Sequence, residues 1–110
     1  MKSVFKALAD PTRQAILAAL SAGSLNAGEL AERLKIAPSA LSFHLNALKT
    51  ADLIADERQG QYIVYTLNTS VVDDLLRFIA ENFYPVARAA SSKKRKAQAV
   101  RGRVPKGATG

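Results

Sequence analysis

Apolar residues recur at spacings of three and four over most of residues 1–84, and the one interruption is an alternating stretch between residues 54 and 67. The first spacing puts side chains on one face of a helix, and alternation puts them on one face of a strand. Val4, Phe5 and Leu8 begin a short amphipathic helix; Asp10 and Pro11 cap a second, which carries Ile16, Leu17 and Leu20 and stops at Gly23. A third starts at Asn26, where Glu29 gives capping-box spacing ahead of the stripe Leu30, Ala31 and Leu34. Lys35, Ile36 and Ala37 form a turn. Pro38 then opens a fourth helix where a missing N–H costs nothing, with Leu41, Leu45 and Leu48 on its apolar face as far as about Ala51. Ile54 to Arg58 and Tyr62 to Leu67 alternate around a turn at Gln59 and Gly60, which predicts a hairpin with Ile63, Tyr65 and Leu67 toward the core. The helical period returns in Val72, Leu75, Leu76, Ile79 and Phe83.

Two helices joined by a short turn, with a hairpin directly behind, make a winged helix-turn-helix, mainly α with a small β-hairpin (α+β). The expected order is α-α-α-α-β-β-α, and the second helix of the pair is the one offered to a DNA groove. With Leu41, Leu45 and Leu48 centred on one face, Ser39, Ser42, Phe43, Asn46 and Thr50 fall on or toward the other. Ser39, Ala40, Ser42, Phe43, His44 and Asn46 are therefore the candidate contacts. Hydroxyls and an asparagine amide hydrogen-bond base edges, and an apolar ring touches a thymine methyl. His44, at the rim, is placed to donate to a phosphate or a base. Arg58, Gln59 and Gln61 at the hairpin tip suit phosphates or an adjacent minor groove. The plainer alternatives are a solvated polar face, a packing histidine and a hairpin that only closes the core. Phe43, a lone aromatic opposite the core, requires a cover, whether DNA, the chain's own tail or another protein.

A chain of 110 residues with 48% hydrophobic content supports one domain with a small core. The stripe of Val72, Leu75, Leu76, Ile79 and Phe83 is long for such a core. Together with Val4, Phe5 and Leu8 it is expected to be buried against a second copy.

From Val4 to Phe83 the chain resembles the ArsR family of winged helix-turn-helix repressors. The resemblance is carried by FKALADPTRQAILAAL, AGELAERLKIAPSALSFHLNALKTADLI and ERQGQYIVYTLN, in that order. The stretch GQYIVYTLNTSV is most similar to the family's sporulation-delay autorepressor branch, whose members carry no metal site. The resemblance implies a homodimer that binds an inverted-repeat operator, usually near its own promoter, and blocks transcription. It also implies where metal-sensing members hold their ion, and there this chain has Asn26 and Gly28 in place of a thiolate pair. A second family site on the last helix needs histidines with carboxylates, where this helix offers Asp73, Asp74 and Glu81. No metal and no cofactor is expected, and a chain without cysteine has no thiol to oxidise. Two positions depart from the family pattern: Asp52 stands where a left-handed glycine is usual, and Phe43 where a polar or basic residue is usual.

The net charge of +7 is unevenly spread. Residues 1–84 hold eight basic side chains against nine acidic ones, a balance of −1, while residues 85–110 hold eight basic ones and no acidic one. Two regions are therefore expected: a DNA-binding and dimerisation domain over 1–84 and a basic tail over 85–110. The tail is rich in alanine, serine, glycine and proline and is expected to be disordered on its own, its first residues extending the last helix. Within it Lys93, Lys94, Arg95 and Lys96 are candidates for non-specific phosphate contacts, a solubilising extension being the alternative.

One histidine and no cysteine exclude a histidine-based or thiolate metal cage, and no glycine-rich phosphate loop or paired-carboxylate pocket suggests an enzyme. No apolar run approaches the roughly 20 residues of a membrane span, and the N-terminus lacks a signal-like stretch, so a cytoplasmic protein without stable membrane association is expected. The rival reading is a winged helix for protein or RNA contacts with a nucleic-acid-adhering tail. The residues do not choose the release signal among a partner protein, a small molecule at the subunit interface and concentration alone. Nor do they choose the operator, its genes or activation over repression.

Overall fold

At two of the predicted helix starts, those of α2 and α3, a side chain satisfies one of the first-turn N–H groups that a helix leaves unpaired. Asp10 Oδ2 accepts from Arg13 N at 3.0 Å, and Asn26 and Glu29 close a reciprocal box with two bonds of 2.8 Å. The computed structural model describes residues 1–85, in the order α1 (Lys2–Leu8), α2 (Pro11–Leu20), β1 (Leu25–Asn26), α3 (Ala27–Leu34), α4 (Pro38–Thr50), β2 (Ile54–Gln59), β3 (Tyr62–Leu67) and α5 (Thr69–Phe83). Apart from Pro85, the basic tail with Lys93, Lys94, Arg95 and Lys96 lies outside the described residues.

The fold is the expected winged helix-turn-helix with one added strand. β1 pairs antiparallel with β3, Leu25 opposite Tyr65 and Asn26 opposite Val64, so the hairpin becomes a three-stranded sheet in the order β1-β3-β2. The hairpin runs from the pair Ile54–Leu67 to the pair Gln59–Tyr62, which sets the turn at Gly60 and Gln61, one residue later than expected. Gly60, with φ of 64°, supplies the positive dihedral that the turn needs.

Leu41, Leu45 and Leu48 of α4 meet Ile16, Leu20, Leu30, Leu53 and Ile54 in one core, and Leu8, Tyr65, Leu67, Val72 and Leu75 close it from the edges. Two expectations are corrected. Val4 is buried in the chain's own core and is not free for a second copy. Ile63 is 39% exposed, because it pairs with Arg58 toward the tip, beyond the last residue that β1 supports.

Both turns around α4 use left-handed residues. Lys35 has φ of 57° after α3, with Ile36 N bonded to Ala31 O at 3.0 Å. Asp52 has φ of 59° after α4, a conformation that glycine adopts more readily. Leu53 N reaches Leu48 O at 3.0 Å and Asp52 N reaches Lys49 O at 2.9 Å, the paired bonds of a Schellman motif.

By its contacts the chain divides into Met1–Leu75 and a unit that begins at Leu76, so α5 starts in the first and continues in the second. In the second unit Phe78 and Phe83 meet edge-on at 5.7 Å, and Leu76, Ile79 and Phe83 are exposed. No helix among the described residues is long and apolar enough to cross a membrane.

Candidate nucleic-acid interface

Pro38 forces Ala37 into an extended conformation (ψ 142°), which ends the turn and starts α4 clear of α3. Leu41, Leu45 and Leu48 then pin one face of α4 to the core, and the opposite face follows from the helical period. Ser39, Ala40, Ser42, Phe43 and Asn46 are all exposed, Phe43 at 66%. Thr50 Oγ1 donates to Asn46 O at 2.9 Å and is satisfied on its own helix. The face thus offers two hydroxyls, one amide and one ring.

His44 departs from the expected rim presentation. Its side chain is only 15% exposed, and Nδ1 lies 3.3 Å from an Arg13 guanidinium nitrogen and 3.8 Å from Asp10 Oδ2. A guanidinium only donates, so Nδ1 is the acceptor of that bond. That nitrogen is engaged with α2, so the ring makes a contact between helices and any donation to a phosphate or base falls to Nε2. Arg13 Nε also donates to Ala7 O at 2.8 Å, while the His44 ring meets Phe43 edge-on with centroids 5.5 Å apart. The hydrogen bond from Arg13 N holds the Asp10 carboxyl below the usual carboxylate range, against partial desolvation and with help from the Arg13 charge. Sequence reading missed Arg13, because helical periodicity says nothing about a cation that reaches between helices. Lys6 and Arg13 also border a cleft of about 300 Å³ beside Phe43 and Ala47, which adds positive charge to that flank of α4.

At the wing, Arg58, Gln59 and Gln61 are exposed at the tip, where the hairpin was expected to put them. Behind them Lys49 Nζ contacts Asp56 Oδ2 at 2.8 Å and joins the end of α4 to β2. That hydrogen bond raises the Lys49 pKa. An exposed pair of this kind contributes little stability, yet it fixes the wing's base against the helix beside it.

Among the residues expected at a dimer interface, Phe5 is 39% exposed on α1, while Leu8, Val72 and Leu75 are half-buried at the edge of the core. Asn26 is occupied in its capping box with Glu29. Among the described residues no group of three or more His, Cys, Asp or Glu is placed to hold a metal ion.

Comparison with known proteins agrees with this geometry. Residues 8–57 match a family described as a helix-turn-helix domain. The transcriptional repressor SdpR of Bacillus subtilis is 47% identical over 79 residues, 72% of this chain and 88% of that protein. The crystal structure of an ArsR family transcriptional regulator superposes with a TM-score of 0.68 at 30% identity, over 73% of this chain and 88% of that one. An ArsR-like transcriptional regulator from Rhodococcus sp. RHA1 gives 0.72 at 30% identity, over 90% and 93%. The chain belongs to the ArsR family of winged helix-turn-helix, DNA-binding transcriptional regulators.

Proposed function

We propose that the chain is a homodimeric repressor that reads an inverted-repeat operator and responds to no metal at the family's cysteine position. The observation that carries this reading is the exposed row Ser39, Ala40, Ser42, Phe43 and Asn46 on a helix whose other face is locked into the core. Recognition helices meet base edges with their N-terminal residues, which is where this row lies. Arg58, Gln59 and Gln61 contact the backbone or minor groove at the flank, and Lys93, Lys94, Arg95 and Lys96 add phosphate contacts that carry no sequence information. Phe5, Leu8, Val72, Leu75, Leu76, Ile79 and Phe83 supply the apolar surface for the second copy. Two recognition helices then enter successive major grooves about 34 Å apart and obstruct RNA polymerase. The name of the SdpR relative supports repression, and the capping box at Asn26 supports metal independence. The protein acts in the cytoplasm, without catalysis and without a stable membrane contact.

Selection of bound sequences from a random duplex library, with the full chain at near-physiological salt, tests this reading. Enrichment of an inverted repeat with half-sites about one helical turn apart, unchanged by zinc or by a chelator, is the expected result. No enriched sequence overturns it and favours a protein- or RNA-binding winged helix.

A further inference from the structure

Arg13 lies in the first turn of α2, outside the helix-turn-helix pair, yet its guanidinium reaches two other helices. Nε donates to Ala7 O near the end of α1 at 2.8 Å, and a terminal nitrogen donates to His44 Nδ1 in α4 at 3.3 Å. Its backbone N–H holds Asp10 Oδ2 at 3.0 Å, and that oxygen lies 3.8 Å from the same histidine nitrogen. The His44 ring in turn meets Phe43 edge-on, and Phe43 is the large apolar residue that α4 leaves 66% exposed. The chain of contacts therefore runs from α1 through α2 to the ring on the DNA-facing side.

This matters because the other polar side-chain tie described for α4, the exposed Lys49–Asp56 pair, lies in its last turn, away from the row of Ser39 to Asn46. Its N-cap is Ala37, which makes no side-chain cap bond, and its buried contacts are Leu41, Leu45 and Leu48. Apolar burial is non-directional and leaves small rotations inexpensive, whereas base reading needs side chains held to within about 0.5 Å. A planar guanidinium with two donors in a fixed fork supplies that missing direction.

We infer that Arg13 and His44 form a positioning pair that sets the rotation of the recognition helix and the orientation of Phe43, so that Arg13 governs DNA reading without touching DNA. The inference rests on the operator-binding reading above.

The test uses the full chain and the duplex enriched for it, with affinity followed over a range of salt and folding followed by thermal melting. R13M weakens operator binding about tenfold, the equivalent of about 1.4 kcal/mol. The slope of log K against log salt stays as in the parent, because no phosphate contact is lost. H44F, which keeps a ring against Phe43 and removes the acceptor, weakens binding similarly, and the double variant R13M/H44F is no weaker than the weaker single one. H44N, whose amide oxygen takes the place of Nδ1, restores affinity. A salt slope flattened by about 0.9 per protomer in R13M makes Arg13 a phosphate contact and overturns the proposal. Independent, multiplying losses in the double variant overturn it as well, and so does H44N binding as weakly as H44F. Should R13M melt below the assay temperature, the comparison of H44F with H44N decides, since neither touches the bond to Ala7. Failure of the parent chain to enrich any duplex counts against operator binding itself, whereas intact parent binding with unaffected variants counts against the pair alone.

Discussion

Lys35 and Asp52 sit at φ of 57° and 59°, and replacing each by glycine tests how the turns around α4 are held. The left-handed region costs an L-residue about 1–2 kcal/mol, with aspartate at the low end because its short polar side chain tolerates it. Neither residue can leave that region without breaking a turn. Ile36 N to Ala31 O depends on Lys35, and Leu53 N to Leu48 O, both side chains being in the core, depends on Asp52. Glycine removes the strain but frees the unfolded chain, a loss of about 0.4–1 kcal/mol. The balance predicts about 0.5–1 kcal/mol of stabilisation for Lys35→Gly and about 0–0.5 kcal/mol for Asp52→Gly. The bond from Asn68 Nδ2 to Asp52 O, 2.9 Å, uses the backbone carbonyl and survives the change. Urea unfolding should show a higher midpoint for Lys35→Gly at an unchanged slope, and melting should rise by about 2–8 °C. Lys35→Ala, which keeps the strain, should show no gain. Lower midpoints in both glycine variants, or a larger gain at Asp52 than at Lys35, would refute the reasoning.

Three further outcomes follow from the same contacts. Because the Asp10 carboxyl titrates below its unfolded value, it contributes stability that is present above about pH 4 and fades as pH falls through the lower folded value. Asp10→Asn keeps a cap acceptor without the charge, so its unfolding free energy should fall less between pH 5 and pH 2.5; an equally steep acid limb contradicts the assignment. Ile79→Glu places a charge on the exposed apolar stripe of α5 and should cost about 2 kcal/mol or more of association, read as a monomer by sedimentation together with lost operator binding. A stable dimer in that variant removes Ile79 from the interface. Arg58→Ala should weaken binding to operator and random duplex alike and reduce the salt slope by about 0.9 per protomer, while Ser42→Ala shifts sequence preference; the opposite pattern exchanges their roles.

The parts of the fold legible in the sequence are those set by local signals. Asn26 with Glu29, Asp10 with Pro11, and Pro38 mark helix starts because capping is a property of a few adjacent residues. The leucines of α4 mark the buried face because the helical period is regular. β1 is not legible in the sequence because two residues, Leu25 and Asn26, are too few to show alternation; they become a strand only through pairing with Tyr65 and Val64, about 40 residues on. Alternation along β3 points Ile63 toward the core, but alternation gives the face and not how far the core extends beneath it. The burial of Val4 and the contact of His44 with α2 are hidden from the sequence for a related reason. Whether a half-apolar helix position faces the chain's own core, a second copy or solvent depends on neighbours distant in sequence, here Arg13 for His44. The exposed row from Ser39 to Asn46 was readable, since a locked apolar face fixes its opposite.

The central claim is that this row reads base pairs, and the most direct measurement compares the motif selected from a random duplex library by the parent chain with that selected by Phe43→Ala. With Phe43 already 66% exposed, the substitution leaves the core untouched. Loss of preference confined to the same position in both half-sites, with the rest of the inverted repeat retained, is the predicted result. A motif unchanged at every position would mean that this face of α4 does not read the DNA.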